Sequence, residues 1–189
     1  MKIVHVIGHM DPAYGGPPQV VVRLAAIQAV QGHDVHIVAY LRTEAERRAA
    51  KVFARTPYAD QVQRHIVPQP SRFELLFAWR AKKVLASTLE GADWVHIHGV
   101  WEPILVAAAK MARQRGIPYC YRPAGMLDPW SLAQKSLKKR LALALVHKRH
   151  LNRAAFIHVL NADEGRLLGP LNLQCPFEII PNGVFAEEI

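Results

Sequence analysis

The stretch "VIGHMDPAYGGPPQVVVRL", residues 6–24, decides how the fold is read. An apolar run ends at Gly8, two glycines stand side by side at 15 and 16, two prolines follow, and an apolar-rich segment continues. Glycines at a strand-to-helix junction let the backbone approach a ligand closely, and a helix start offers unpaired N–H groups to an anion. Proline suits the first helical turn, where it loses nothing by lacking an N–H. A tight turn without any ligand would use the same residues.

Working outward, apolar runs of strand length recur at 3–7, 35–40, 94–98, 118–121, 156–160 and 177–180, with a weaker one at 64–67. Continuous runs, rather than alternation, characterise strands covered on both faces. Helical periods lie between them. Val20, Leu24, Ile27 and Val30 make one core stripe, Phe73, Phe77, Ala81, Val84 and Leu85 a second, and Ile104, Leu105, Ala108, Met111 and Ala112 a third. Strand and helix in alternation predict an α/β fold: a Rossmann-like, doubly wound, mostly parallel sheet with helices on both faces. Residues 43–55 are charged and read as helical, whereas 56–72 is the least regular stretch. A strand, a Pro-Asn-Gly turn and an abrupt stop suggest a domain over 1–181 and the start of a hinge at 182–189.

Composition bounds the chemistry. At 189 residues with 51% hydrophobic content, the chain can bury one sizeable core. Its 24 Lys and Arg against 15 Asp and Glu give a net charge of +9, which suits anionic partners such as phosphorylated small molecules, nucleic acid or an acidic membrane. Cys120 and Cys175 have no CxxC spacing and read as reduced thiols, so a cytoplasmic location is expected. The opening apolar run is too short for a signal-peptide core, and no stretch is long enough to span a bilayer. The chain is therefore expected to be soluble or, at most, peripheral on the inner face of the cytoplasmic membrane.

In open α/β sheets, ligands bind at the carboxyl ends of the strands. That rule selects the loops at 8–16, 41–43, 99–103, 123–130 and 161–164. Neither GxGxxG nor a Walker pattern is present, and no acidic residue ends the second strand. Asp11 and Glu102 lie in selected loops and could accept hydrogen bonds from sugar hydroxyls. His96 and His98 share one strand face, but they lack a third ligand of convincing spacing, so no metal is expected; His98 is either a substrate contact or a packed structural histidine. On residues 135–153, Leu137, Leu141, Ala144 and Leu145 form a core stripe and Lys135, Lys138, Lys139, Arg149 and Arg153 a basic far side. That side is either an ordinary solvated face or a surface for an anionic membrane.

The Gly15-Gly16 loop, "LAAIQAVQGHDVHIVAY" from Leu24, "VHIHGVWEP" from Val95, "PAGMLDPWSLAQKSLKKRLAL" from Pro123 and "IIPNGV" from Ile179 together resemble the amino-terminal domain of retaining GT-B glycosyltransferases. The chain is most similar to glycosyltransferase family 4, of the kind that builds bacterial surface polysaccharides. The resemblance implies the acceptor-binding half of a two-domain enzyme that moves a hexose-type sugar from a nucleotide-diphosphate donor to a polysaccharide or lipid-linked glycan, with no metal and no other cofactor. It places Gly15 and Gly16 against the donor diphosphate, Asp11 in the acceptor loop, His98 and Gly99 along the cleft, and Pro181, Asn182 and Gly183 at the hinge. The donor domain of that family is absent from these residues, so the isolated half is expected to be inactive.

The chain departs from the family pattern at Ala124, which stands where many members carry a cleft histidine, so no catalytic residue is assigned. Arg122, beside it, is a candidate source of positive charge. Two other readings stand beside this one: a GT-B-fold epimerase or phosphorylase, and a non-catalytic basic module binding membrane or nucleic acid. The lack of aromatic residues interleaved along the basic run argues against nucleic acid.

Overall fold

The computed structural model describes residues 1–68, 71–134, 136–183 and 185. Seven strands form one parallel sheet: β1 (Lys2–His9), β2 (Asp34–Leu41), β3 (Gln63–Pro68), β4 (Trp94–His98), β5 (Tyr119–Arg122), β6 (Phe156–Val159) and β7 (Phe177–Ile179). Their order is β3-β2-β1-β4-β5-β6-β7. The chain thus winds outward from β1 in one direction and then restarts beside it at β4, which is the doubly wound arrangement expected from the apolar runs.

Both faces are covered. On one, α1 (Pro17–Val30) and α2 (Glu46–Arg55) pack Val21, Val22, Ala25, Ala26 and Phe53 against Ile37 and Ala39. On the other, α4 (Trp79–Thr88), α5 (Pro103–Gln114) and α8 (Lys148–Leu151) pack Leu85, Ile104, Leu105, Ala108 and Leu151 against Val4, Val6, Val95 and Ile97. Short helices α3 (Arg72–Phe77), α6 (Pro129–Ala133), α7 (Ser136–Ala142) and α9 (Ala162–Leu168) complete the order, and a π-turn, Leu143–His147, joins α7 to α8.

Three expected helix faces are different. In α1 the sheet-facing stripe is Val21, Val22, Ala25, Ala26 and Ala29, while Ile27 and Val30 are exposed. Small side chains let the helix lie close to the sheet, and the larger Val20, Leu24 and Ile27 flank a cavity of about 120 Å³ that is closed on its far side by Ile180, Pro181, Asn182, Gly183 and Phe185. The second stripe is not one helix. Ala78, at φ +50°, breaks it into α3 and α4, so Ala81 and Leu85 are buried whereas Phe73 and Phe77 are exposed. In residues 136–151 the buried positions are Leu143, His147, His150 and Leu151, while Leu137, Leu141 and Leu145 are exposed. Apolar residues run almost all round that segment, so periodicity alone had two faces to choose from.

Glu74 holds the break between α3 and α4. Buried in the first turn of the Ser71-capped helix α3, it accepts hydrogen bonds from Tyr40 Oη at 2.7 Å and from the N–H groups of Arg80 and Ala81 at 2.8 and 2.9 Å. Burial alone would push its carboxyl up, but the bonds from Ala81, Tyr40 and Arg80 outweigh it and hold it below its ordinary range. Replacing Glu74 with Ala strands those three donors in a buried site. Each costs roughly 1–3 kcal/mol when left unpaired, so the Glu74→Ala protein should lose several kcal/mol in urea unfolding, whereas Glu74→Gln, which keeps an acceptor, should lose much less.

Candidate functional site

The bulge at the end of β1 builds the centre of the site. Pairing with β2 skips from Ile7 to His9, which sets Gly8 out of register. The space beside Gly8 is filled by Glu102, at the start of α5: a Cβ on Gly8 would stand 2.6 Å from Glu102 Cδ. Gly99, at φ +101°, turns the chain out of β4 and lies against Glu102, Leu105 and Met126; its N–H donates to Arg122 O at 2.9 Å. Burial pushes the Glu102 carboxyl up, and its Oε2 has no hydrogen-bond partner among the described residues. His9, half-buried, stacks on Tyr14 with ring centres 5.0 Å apart. These groups gather at the carboxyl ends of β1 and β4, where the strand order reverses.

The two glycines differ in kind. Gly15 has φ +110°, a conformation side chains resist, and its N–H already donates to Pro12 O at 3.1 Å. Gly16 caps α1 in an ordinary helical conformation, φ −71°, and a Cβ there would meet nothing within 4 Å. Gly15 answers to its positive φ, and Gly16 to its place directly before Pro17, where a helical conformation is disfavoured for a residue with a Cβ. With Pro17 and Pro18 lacking N–H groups and Val20 N–H already donating to Gly16 O at 3.2 Å, the donors this junction can aim outward are those of Gly16 and Gln19.

Several expected site residues are engaged elsewhere. Asp11 is almost fully buried; Arg48 of α2 binds both its oxygens, Nε at 2.9 Å and Nη2 at 2.7 Å, and Ala13 N–H donates to it at 3.0 Å. The Arg48 bonds, chiefly, hold its carboxyl down to about 2. Arg122 is buried beneath the loop it was expected to serve, donating from Nη2 to Asn182 Oδ1 at 2.7 Å; burial lowers its pKa and the Glu164 charge opposes this. Lys139 does not join a free basic face, because its ammonium donates to Ser131 O and lies 5.4 Å from the centre of the Trp101 ring. Lys138 and Arg149 are exposed, and Lys135 lies outside the described residues. Ala124 adopts φ +50° at the rim, and Glu164 ties that loop to β6 by accepting from Gly125 N–H and Leu160 N–H, both at 2.7 Å.

Beneath the site lies a layer of histidines that strand spacing alone did not reveal, because β1 supplies His5 opposite His96. Gln28 Oε1 accepts from His5 Nε2 at 2.7 Å, so His5 Nδ1 accepts from His98 Nε2 at 3.0 Å. In parallel, His158 Nε2 donates to Ile180 O at 2.7 Å and its Nδ1 accepts from His96 Nε2 at 3.2 Å. His98 is only 2% exposed and packs in this layer rather than opening to the cleft. Ring nitrogens of His5, His96 and His98 lie within 4.8 Å of one another, a set that could hold a metal ion, although a cation there would have to displace the His98–His5 bond. Burial, chiefly, holds His5 down to about 4; burial and then the neighbouring imidazoles hold His96 and His98 well below 6.5.

Residues 15–183 match the family model described as a glycosyl transferase 4-like domain. The chain belongs to this family. Among curated proteins, no sequence matches it significantly. Solved structures share the fold of this glycosyl transferase 4-like chain at low identity. Sucrose-phosphate synthase from Thermosynechococcus elongatus is 15% identical with a TM-score of 0.65, covering 97% of this chain and 48% of its own. UDP-GlcNAc 2-epimerase from Neisseria meningitidis, bound to UDP-GlcNAc, is 16% identical with a TM-score of 0.58, covering 96% and 47%. The glycosyl transferase 4-like chain thus spans about half the length of these proteins, and the likeness establishes the GT-B half-fold. Among its described residues, no helix is long and apolar enough to cross a membrane.

The histidine layer dictates a pH response. A histidine whose folded pKa is depressed binds a proton more readily when unfolded, so stability is full above about pH 6.5 and falls as pH drops toward the folded value. Asp11, Asp34 and Glu74 are shifted down and lose their contribution only at lower pH, below the ordinary carboxylate range. Melting temperature should therefore fall steeply between about pH 6.5 and 4.5, and His96→Asn should flatten that slope in a pH series of thermal melts.

Proposed function

We propose that this chain is the acceptor-binding half of a nucleotide-sugar-dependent glycosyltransferase, which passes a hexose-type sugar to a polysaccharide or lipid-linked glycan. A second domain would hold the donor and close on the carboxyl ends of β1 and β4. The observation that carries this reading is Gly16, a helix-capping residue with an ordinary φ and open space around it. That opening at the start of α1 gives a diphosphate access to the backbone, and the clash a Cβ would make in this helical conformation before Pro17 keeps the position free of a side chain.

The chemistry follows from where charge develops. As the bond between sugar and phosphate breaks, negative charge grows on the leaving diphosphate, and N–H groups aimed at it from the start of α1 stabilise that state more than the bound donor. Glu102, whose carboxyl is pushed up by burial and whose buried Oε2 has no partner among the described residues, would accept from an acceptor hydroxyl beside Gly99 after its side chain turns outward from Gly8. Asp11 shapes the β1–α1 loop through Arg48, and Pro181, Asn182 and Gly183 carry the chain toward the second domain. With Ala124 at the position of the family's cleft histidine, no side chain is assigned as the catalytic group. Closure would exclude water and orient the acceptor. A peripheral location is part of the proposal, with Lys138 and Arg149 facing anionic lipid.

Gly16→Val, which puts a β-branched side chain before Pro17 at a helix cap, should lower the melting temperature by roughly 2–4 °C, while radiolabelled sugar transfer by the full-length enzyme, assayed well below that melt, falls by about a hundredfold or more. Undiminished transfer would remove the diphosphate from this junction. Transfer should also persist in EDTA. Product analysis separates this reading from epimerisation, which would release a stereoisomer of the donor sugar in place of an extended glycan.

A further inference from the structure

The break between α3 and α4 does more than end a helix. It turns outward five large apolar side chains, Phe73, Leu75, Leu76, Phe77 and Trp79, of which Phe73 is 76% exposed, Leu76 71% and Trp79 69%. Isolated exposed apolar residues are ordinary on a protein surface, but a contiguous aromatic and aliphatic cluster marks an interaction site. The cluster is also held rigidly. Ala78 adopts a left-handed conformation that costs a non-glycine residue roughly 1–2 kcal/mol, and buried Glu74 secures it through three hydrogen bonds. A cluster presented by a strained, fully satisfied turn is a built feature and not a frayed end.

Charge complementarity decides the occupant. Across residues 71–88 the cations are Arg72, Arg80, Lys82 and Lys83, all exposed, and the one acidic residue, Glu74, is buried. Lys83 Nζ lies 5.6 Å from the centre of the Trp79 ring, so charge and aromatic surface are interleaved at the same spot. Tryptophan with flanking lysine and arginine suits the boundary between lipid headgroups and acyl chains, where the ring is half solvated and the cations meet phosphate. A protein partner rich in acidic residues would use the charges but leave Phe73, Leu76 and Phe77 without a hydrocarbon medium.

We infer that the α3–α4 turn is a membrane-insertion element, which seats Phe73, Leu76, Phe77 and Trp79 among the acyl chains of an anionic phospholipid surface while Arg72, Arg80, Lys82 and Lys83 contact the headgroups. It goes beyond the electrostatic attachment proposed for Lys138 and Arg149, because it is apolar, lies on a different element and stands whatever sugar is transferred. Three anchors burying aromatic surface and four cations near a charged surface together give reversible attachment, not a spanning segment.

The test is co-sedimentation of the purified protein with vesicles of phosphatidylcholine mixed with phosphatidylglycerol, and with pure phosphatidylcholine vesicles. Binding is expected only with the anionic mixture, and the triple variant Phe73→Ser, Phe77→Ser, Trp79→Ser should bind about tenfold more weakly or worse, with an unchanged melting temperature because the replaced groups are exposed. Brominated lipid should quench tryptophan fluorescence in the parent and in Trp130→Phe, but much less in Trp79→Phe. Lys138→Glu with Arg149→Glu reports on the other surface, so the two attachments can fail separately. Equal sedimentation of the triple variant, or quenching that disappears with Trp130 instead of Trp79, overturns the inference. Concentration-dependent dimers without lipid that the triple variant abolishes would also overturn it, assigning the cluster to a second copy of the chain.

Discussion

Everything at the candidate site depends on one topological constraint, the reversal of strand order at β1. Having laid β2 and β3 to one side, the chain returns on the other side with β4, and the loops leaving β1 and β4 diverge toward opposite faces. A crevice opens between them by geometry alone. The bulge at Gly8 and the left-handed turn at Gly99 then make it roomy enough for the Glu102 carboxyl, while Gly15 bends the β1 loop into the start of α1. Gly15 and Gly99 take conformations that side chains resist because two adjacent parallel strands must eject their chains in different directions within a few residues.

The histidine layer is the other side of the same arrangement. Parallel pairing sets His5 beside His96, and four imidazoles occupy a place where most sheets bury aliphatic groups. Each is neutral and each donates one proton along a defined direction, so the layer fixes tautomers as well as positions. Gln28 from α1 and the carbonyl of Ile180 terminate the two chains of bonds, which links the helix behind the glycine junction to the segment leaving β7.

The strands were legible in the sequence because a strand covered on both faces is apolar throughout, a signal insensitive to register. Helix faces were not, and for a shared reason: in α1 the alanines face the sheet and the bulkier Leu24 and Ile27 do not, so hydrophobicity pointed to the wrong stripe. Ala78 gave no warning of a break, since alanine is a strong helix former and the cause lies in a buried carboxylate four residues upstream. At the site, Gly15, Gly16 and Gly99 could be picked out because glycine declares backbone requirements locally. Glu102 was legible as a residue but not as a partner of Gly8, and the engagement of Asp11 by Arg48 or of Arg122 by Asn182 joins residues far apart in sequence. Pairing across the sheet, the step that unites His5 with His98, has no signature in one strand's spacing.

The stretch after β7 is pinned at successive points: His158 on the carbonyl of Ile180, Arg122 on the side chain of Asn182, and Phe185 in the core beside α1. Two of these fastenings satisfy groups buried in the sheet, a neutral imidazole and a guanidinium whose Nε and Nη1 have no partner among the described residues. Peeling the stretch away would leave both without their acceptors at once. Its release therefore costs more than that of a segment held by solvent-exposed contacts, since each fastening lost leaves a buried donor without its acceptor.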